Sequence, residues 1–365
     1  MKKNVFIPTF GNRPKPLVGR DGLLSDFMEG LAHPEGHPHR ATVFMGQRGT
    51  GKTALLLEIA ERAEKAGYVA AFVTADEHMT DVILQLVQVK GEKYVKGIQK
   101  VKSVNAGVLG FSFGLTFTDE AEQKYGFRLK LTLLADELAK HKKGILILVD
   151  EIQSNTPEMR ELAITYQHLV GEGKNVAIAL AGLPGAVSSV LQDDILTFLN
   201  RAHKVILGPL PLNDVSMLYA GRFAEDGRSI GPETLELAVK STLGYPYLMQ
   251  LVGYYTLKHA GESKSIEKNI VETAIINAKR DLIDSVHKTC LRPLSDRDRD
   301  FLQAMSMDKE SSRISDIQER MNVSAAYIQQ YRTRLIEAGV ISSEQRGRVE
   351  FAVPYLGEYL RGELD

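Results

Sequence analysis

Short, continuous apolar runs recur along the chain, separated by stretches with helical spacing. The runs fall at residues 42–45, 69–73, 145–149, 176–181 and 205–207. Continuous rather than alternating hydrophobicity predicts strands buried on both faces, as in a parallel sheet covered by helices. Between the first two runs, residues 52–65 place Leu55, Leu56, Ile59 and Ala63 on one helical face. Residues 103–118 depart from this pattern. Phe111, Phe113 and Phe117, with Leu115 among them, occupy every second position, which predicts an inserted β-hairpin with one packed face. After Gly208-Pro209-Leu210-Pro211 the strands stop, and residues 213–289 read as helices broken at 227–231 and 244–246. A boundary near Arg292-Pro293-Leu294-Ser295 precedes a compact last module. Residues 1–40, with Pro8, Pro14, Pro16, Pro34 and Pro38 and one amphipathic stretch at 23–31, read as a lead-in wrapped over the adjoining domain. The pattern predicts a lead-in at 1–40, an α/β core at 41–210, a helical domain at 211–292 and a terminal module at 293–365, without internal repeats or low-complexity tracts.

Composition adds exclusions. The 365 residues are 44% hydrophobic and 25% charged, which suits an ordinary globular protein of about two or three domains. A formal net charge of -1 gives no whole-chain basic field, so any nucleic-acid contact has to come from a local patch. Cys290 is the single cysteine, which rules out an intrachain disulfide and a cysteine-pair zinc site. Lys2 and Lys3 are followed by Pro8 before an apolar signal core forms, and no apolar stretch is long enough to span a bilayer. These features predict a cytoplasmic protein without membrane contact.

The chemistry begins directly after the first apolar run. Gly46-Gln47-Arg48-Gly49-Thr50-Gly51-Lys52-Thr53 fits G-x-x-x-x-G-K-[ST] between a strand and a helix. Glycines allow successive backbone N–H groups to turn towards one centre, and the helix N-terminus adds positive potential, so the loop suits phosphates. Lys52 is placed to reach the β- and γ-phosphates, and the Thr53 hydroxyl to bind Mg²⁺. The third run, 145–149, ends in Asp150-Glu151. A carboxylate there suits the Mg²⁺ shell, and the second suits a general base on water, which points to ATP hydrolysis and not merely binding.

These two motifs, with the elements around them, resemble the AAA+ ATPases, and among those the archaeal-type and origin-recognition-like group. The resemblance implies an α/β fold: a P-loop NTPase parallel sheet, a helical lid and a C-terminal winged helix-turn-helix domain. It further implies that Val18, Gly19 and Arg20 fold over the adenine. Arg201, just before the last core strand, corresponds to an arginine that acts in trans on a neighbour's γ-phosphate, implying self-association. Pro246, in Gly244-Tyr245-Pro246-Tyr247, resembles a G-x-P element that packs near the base, an element also found in STAND signalling ATPases. Two departures stand out. No sensor arginine occurs near Tyr247, and the strand 176–181 ends in Ala181-Gly182 where a polar sensor is expected. Slow hydrolysis is the expectation.

Residues 295–365 read as three helices and a hairpin, which resembles a winged helix-turn-helix. Ser324 caps the third helix, which carries Tyr327, Gln329, Gln330, Arg332 and Arg334, while Arg346 and Arg348 flank the hairpin turn. These side-chain types suit base edges and phosphates of duplex DNA. Acids such as Asp296, Asp298 and Asp300 balance the arginines, so protein contact is the other reading. In that reading the chain is a STAND-like signalling or assembly ATPase.

Overall fold

The protein is described from a computed structural model covering residues 5–9, 17–33, 36–95, 126–152, 156–191, 197–343 and 345–364. The hairpin expected at 103–118 lies outside the described residues. Five parallel strands build the core sheet: β1 (Ala41–Met45), β2 (Tyr68–Thr74), β3 (Gly144–Ile152), β4 (Val176–Gly182) and β5 (His203–Ile206). Their order is β2-β3-β4-β1-β5, so β4 lies between the strand that leads into the glycine loop and the strand that carries the acids. The apolar runs reflect this placement, since β3 and β4 are buried along nearly their whole length.

Helices cover both faces. On one side pack α1 (Asp21–Ala32) and α2 (Lys52–Lys65). Leu24, Phe27 and Leu31 of α1 recur at helical spacing and meet Phe44, Leu56 and Leu148 in one buried cluster. The other face takes α3 (Met79–Val95), α4 (Phe127–Lys140), α5 (Pro157–Gly171) and α6 (Pro184–Leu191). α5 starts where Pro157 follows Thr156, whose hydroxyl accepts from the Met159 N–H at 3.2 Å.

The core strands end at Ile206, and Leu207 still donates to the Met45 carbonyl at 2.7 Å. Beyond the Gly208–Pro211 connection lie α7 (Leu212–Glu225), α8 (Pro232–Ser241), α9 (Pro246–Ala260) and α10 (Lys268–Leu282), with short paired strands β6 (Ser229–Ile230) and β7 (Ser265–Ile266). α10 continues through a π-type turn at Ile283–His287 into α11 (Lys288–Leu291). The lead-in reaches this helical part as well. Phe6 is buried against Tyr219 and Phe223, and the Ile7 N–H donates to Gln250 at 3.0 Å. Burying such a ring is worth about 2 kcal/mol, enough to fix the lead-in to the lid.

The terminal module comprises α12 (Asp296–Ser306), β8 (Ser312–Arg313), α13 (Ile314–Met321), α14 (Ala325–Glu337), β9 (Ile341–Ser342), β10 (Arg348–Phe351) and α15 (Leu356–Leu360). Its antiparallel strands are ordered β8-β10-β9. α12 starts with a capping box in which Ser295 and Asp298 satisfy each other's backbone N–H groups. This module is not held to the lid by a bare linker. A single buried cluster runs from Val215 and Leu248 through Val286 and Cys290 to Phe301, Leu335 and Leu356. Polar contacts line the same junction: His287 Nε2 lies 2.8 Å from the Pro354 carbonyl, the Tyr355 hydroxyl donates to Ser241, and Lys279 pairs with Glu358 at 3.0 Å.

Candidate nucleotide site

The glycine loop leaves β1 and enters α2 at Lys52. Gly49 and Gly51 both have left-handed φ, 77° and 87°. A side chain at Gly46 would meet the Thr50 hydroxyl at 2.6 Å, and one at Gly49 would meet the Tyr245 ring. Thr50 tightens the loop by donating to the Gln47 carbonyl at 2.8 Å. The Lys52 ammonium donates to the carbonyls of Gly46 and Gln47, both at 2.8 Å, and so lies folded across the loop mouth. Burial pushes its pKa down to about 8, against the pull of Asp150 and with a push from Arg48.

The acidic half of the site comes from β3. A register shift against β4 between Val149 and Ile152 marks an irregularity in β3 where Asp150 and Glu151 lie. Asp150 is 4% exposed and accepts from the Thr53 hydroxyl at 2.5 Å. Its other oxygen accepts from the Glu151 N–H at 2.9 Å. Glu151 is exposed and has φ 55°, an uncommon conformation for a residue with a side chain. A hydroxyl and a carboxylate side by side are an oxygen donor set that fits a hard divalent cation such as Mg²⁺.

Glu151 opens on a cavity of about 570 Å³ shared with Arg48, Lys52, Gly182, Ser188 and Glu337. At the end of β4, Gly182 has no room for the polar sensor expected there. A Cβ on it would lie 2.9 Å from the Ile152 carbonyl.

The lid touches the loop directly. The Tyr245 hydroxyl donates to the Arg48 carbonyl, the Tyr247 N–H donates to the Gly49 carbonyl at 3.2 Å, and Pro246 faces Gly51. Sequence reasoning does not single out Tyr245 as a loop contact, although the apolar start of α9 at Gly244-Tyr245-Pro246-Tyr247 is an available signal. The lead-in lies against the connection to the lid. Arg20 donates to the Gly208 carbonyl at 2.6 Å, and Gly19 approaches Leu210 and Pro211 so closely that a side chain would be crowded. Val18 and Arg20 are half-buried there. Arg201 is exposed at the end of a 3-10 turn, Thr197–Arg201, just ahead of the edge strand β5.

The residues singled out in the terminal module fall into two sets. Tyr327, Gln329, Gln330 and Arg346 are exposed. Arg334 is exposed as well, but it pairs with the buried Asp298 at 2.5 Å and lies over the Tyr331 ring. Arg348 donates to the Ser311 hydroxyl and carbonyl at 2.8 and 3.0 Å, and Arg332 donates to Ser343 at 2.7 Å. These three arginines brace the module itself, which charge and spacing alone do not indicate.

Comparison with known proteins defines the class. Residues 36–190 match the family model described as "AAA domain", and residues 284–360 match "Domain of unknown function (DUF8462)". No curated protein matches the chain. Among solved structures, the Walker-type ATPase PABY2304 of Pyrococcus abyssi aligns with TM-score 0.71 and 18% identity, over 98% of this chain and 99% of that one. The Aeropyrum pernix ORC2 protein in its ADPNP-ADP complexes aligns with TM-score 0.65 and 17% identity, over 99% of this chain and 97% of that one. Cdc6p from Pyrobaculum aerophilum aligns with TM-score 0.51 and 15% identity, over 98% of each chain. The chain therefore has the P-loop AAA+ fold, with the AAA domain match falling in its N-terminal half. Over the whole chain its fold is similar to those of the PABY2304 and ORC2 structures.

Proposed function

We propose that this protein binds Mg-ATP and hydrolyses it slowly to ADP and phosphate, and that nucleotide state sets the position of the lid and terminal module. The observation that carries the reading is the meeting of Thr53 and Asp150 at 2.5 Å, with Lys52 poised across the loop. Two motifs nearly a hundred residues apart in sequence meet at one point, at the carboxyl ends of parallel strands where such folds take ligands. Thr53 and Asp150 would hold Mg²⁺, which would supply charge neutralisation on the phosphates. Lys52 leaves the loop carbonyls for the phosphate oxygens. Glu151, exposed to the cavity, accepts a proton from the attacking water.

The adenine is assigned to the junction of core and lid, beside Gly19, Arg20 and Pro246, because those residues converge on the loop and on the connection at 208–211. Arg201 is assigned as a finger supplied to a neighbouring copy. Its exposure next to an edge strand supports that reading. We further assign the terminal module as a winged helix-turn-helix that meets duplex DNA through Tyr327, Gln329, Gln330 and Arg346, in the cytoplasm. No described helix is long and apolar enough to cross a membrane.

A second reading, an assembly ATPase whose terminal module meets protein, draws on one specific observation. Arg332, Arg334 and Arg348 are already engaged within the module. Lys52→Ala tests the shared part of both readings. Equilibrium titration with Mg-ATP should show affinity reduced by about a hundredfold or more, since the lysine charge contacts two phosphates. Unchanged affinity in this variant would remove the site assignment.

A further inference from the structure

The cavity beside the glycine loop is not built by the ATPase core alone. Glu337, the last residue of α14, lines it together with Arg48, Lys52 and Glu151. Lys52 and Glu151 mark the end of the site that takes the terminal phosphate, so Glu337 adds a second acidic residue to the wall of the cavity that receives the γ-phosphate. Its position is held by close backbone packing. A Cβ on Gly185, at the start of α6, would collide with the Glu337 backbone, and only glycine permits that approach. Two residues further on, Gly339 turns with φ 69° against the side chain of Gln47, itself a member of the glycine loop.

This contact is imperfect in an informative way. The Gln47 side-chain oxygen is buried without a hydrogen-bond partner, and Gly339 offers no side-chain donor to satisfy it. An unsatisfied buried acceptor weakens the docked arrangement. The terminal module is thus seated beside the cavity by shape, with one unpaired polar atom at the contact and one acidic residue in the cavity wall.

We propose that Glu337 is a nucleotide-discriminating residue: it tolerates a diphosphate but repels the γ-phosphate, so the docked module favours ADP and ATP displaces it. The proposal rests on the nucleotide-binding reading above and adds to it the residue that separates the two nucleotides. ADP leaves the Glu337 end of the cavity free. ATP places further negative charge beside two carboxylates in a partly enclosed space, and the lower-energy outcome is separation of the turn at Glu337–Gly339 from Gly185 and Gln47. The lid shares its core with the module, so the two leave together.

The test is calorimetric titration of the full chain with Mg²⁺ and either ADP or a non-hydrolysable ATP analogue, in the wild type, Glu337→Gln and Gly185→Ala. Glu337 is exposed, so Glu337→Gln removes the charge without unpacking the fold. Removing one like charge should raise affinity for the analogue about tenfold while ADP affinity stays within about twofold. Gly185→Ala, which forces the backbones apart, should shift the ratio in the same direction. An unchanged analogue-to-ADP ratio in both variants, with both nucleotides bound, overturns the proposal. So does an equal rise for both nucleotides in Glu337→Gln. Failure of the wild type to bind either nucleotide overturns the nucleotide reading itself, and this proposal with it.

Discussion

The glycine loop with its acidic strand and the terminal module with its arginines are both rich in side chains of recognisable chemistry, but they differ in what those side chains do. In the core, Lys52 bonds to the loop carbonyls, Thr53 and Asp150 bond to each other, and Lys52 and Glu151 line one cavity. In the module, Arg334, Arg332 and Arg348 are each already bonded to a partner from the same module, Arg334 while still exposed. The difference lies in the backbone. A glycine loop between a buried strand and a helix fixes where its residues go, whereas a long side chain on a helix surface is free to turn towards whatever neighbour the fold supplies.

The contrast can be broken most forcefully at Asp298. This buried carboxylate closes the capping box of α12 and receives Arg334, so Asp298→Ala removes the return half of the capping box and the partner of Arg334. The expected loss of stability is about 1–2 kcal/mol, mostly from the lost capping interaction, read as a lower urea midpoint. A change within about 0.5 kcal/mol would return Arg334 to the set of free surface cations.

The next effect depends on pH. His287 is buried at the junction of lid and module, where burial holds its pKa below the usual 6.5 despite the Pro354 carbonyl near its Nε2. The unfolded chain then binds the proton more readily than the folded one. Stability is therefore full above about pH 6.5 and falls as the pH drops below it, by up to about 1.4 kcal/mol per pH unit. Urea melts at pH 7.5 and 5.5 should show this difference, and His287→Gln should flatten it. Equal slopes in both proteins would exclude His287 as the source.

The smallest effect sharpens the contrast within the module. Arg346 is exposed at the hairpin turn, whereas Arg348 two residues away holds Ser311. If duplex DNA is bound, Arg346→Ala should lower the salt slope of binding by about 0.9 while leaving the melting curve unchanged. Arg348→Ala should instead lower the melting midpoint. The reverse pattern would exchange their roles.

Legibility from sequence follows the same divide. The five apolar runs 42–45, 69–73, 145–149, 176–181 and 205–207 correspond to β1, β2, β3, β4 and β5, because strands buried on both faces leave a continuous apolar trace. The loop motif and Asp150-Glu151 are legible for a related reason: their geometry is imposed by short backbone segments. The strand order, with β4 lying between the two motifs, is a tertiary fact that no local pattern encodes. The boundary drawn at residue 292 follows proline and charge, yet the buried cluster from Val286 through Cys290 to Phe301 crosses it. Tyr245 and Glu337 leave no signal as site residues strong enough to single them out, since Tyr245 reaches the loop and Glu337 the cavity wall from distant helix ends.

The most direct measurement of the central claim is single-turnover hydrolysis of Mg-ATP by the wild type and by Glu151→Gln. Glu151 sits in a left-handed conformation at the mouth of the cavity, and the substitution keeps its shape while removing its basicity. The account predicts that both proteins bind ATP with similar affinity, that the wild type turns it over slowly, and that the variant retains ATP with hydrolysis reduced by about a hundredfold or more. Hydrolysis by Glu151→Gln at the wild-type rate would contradict it.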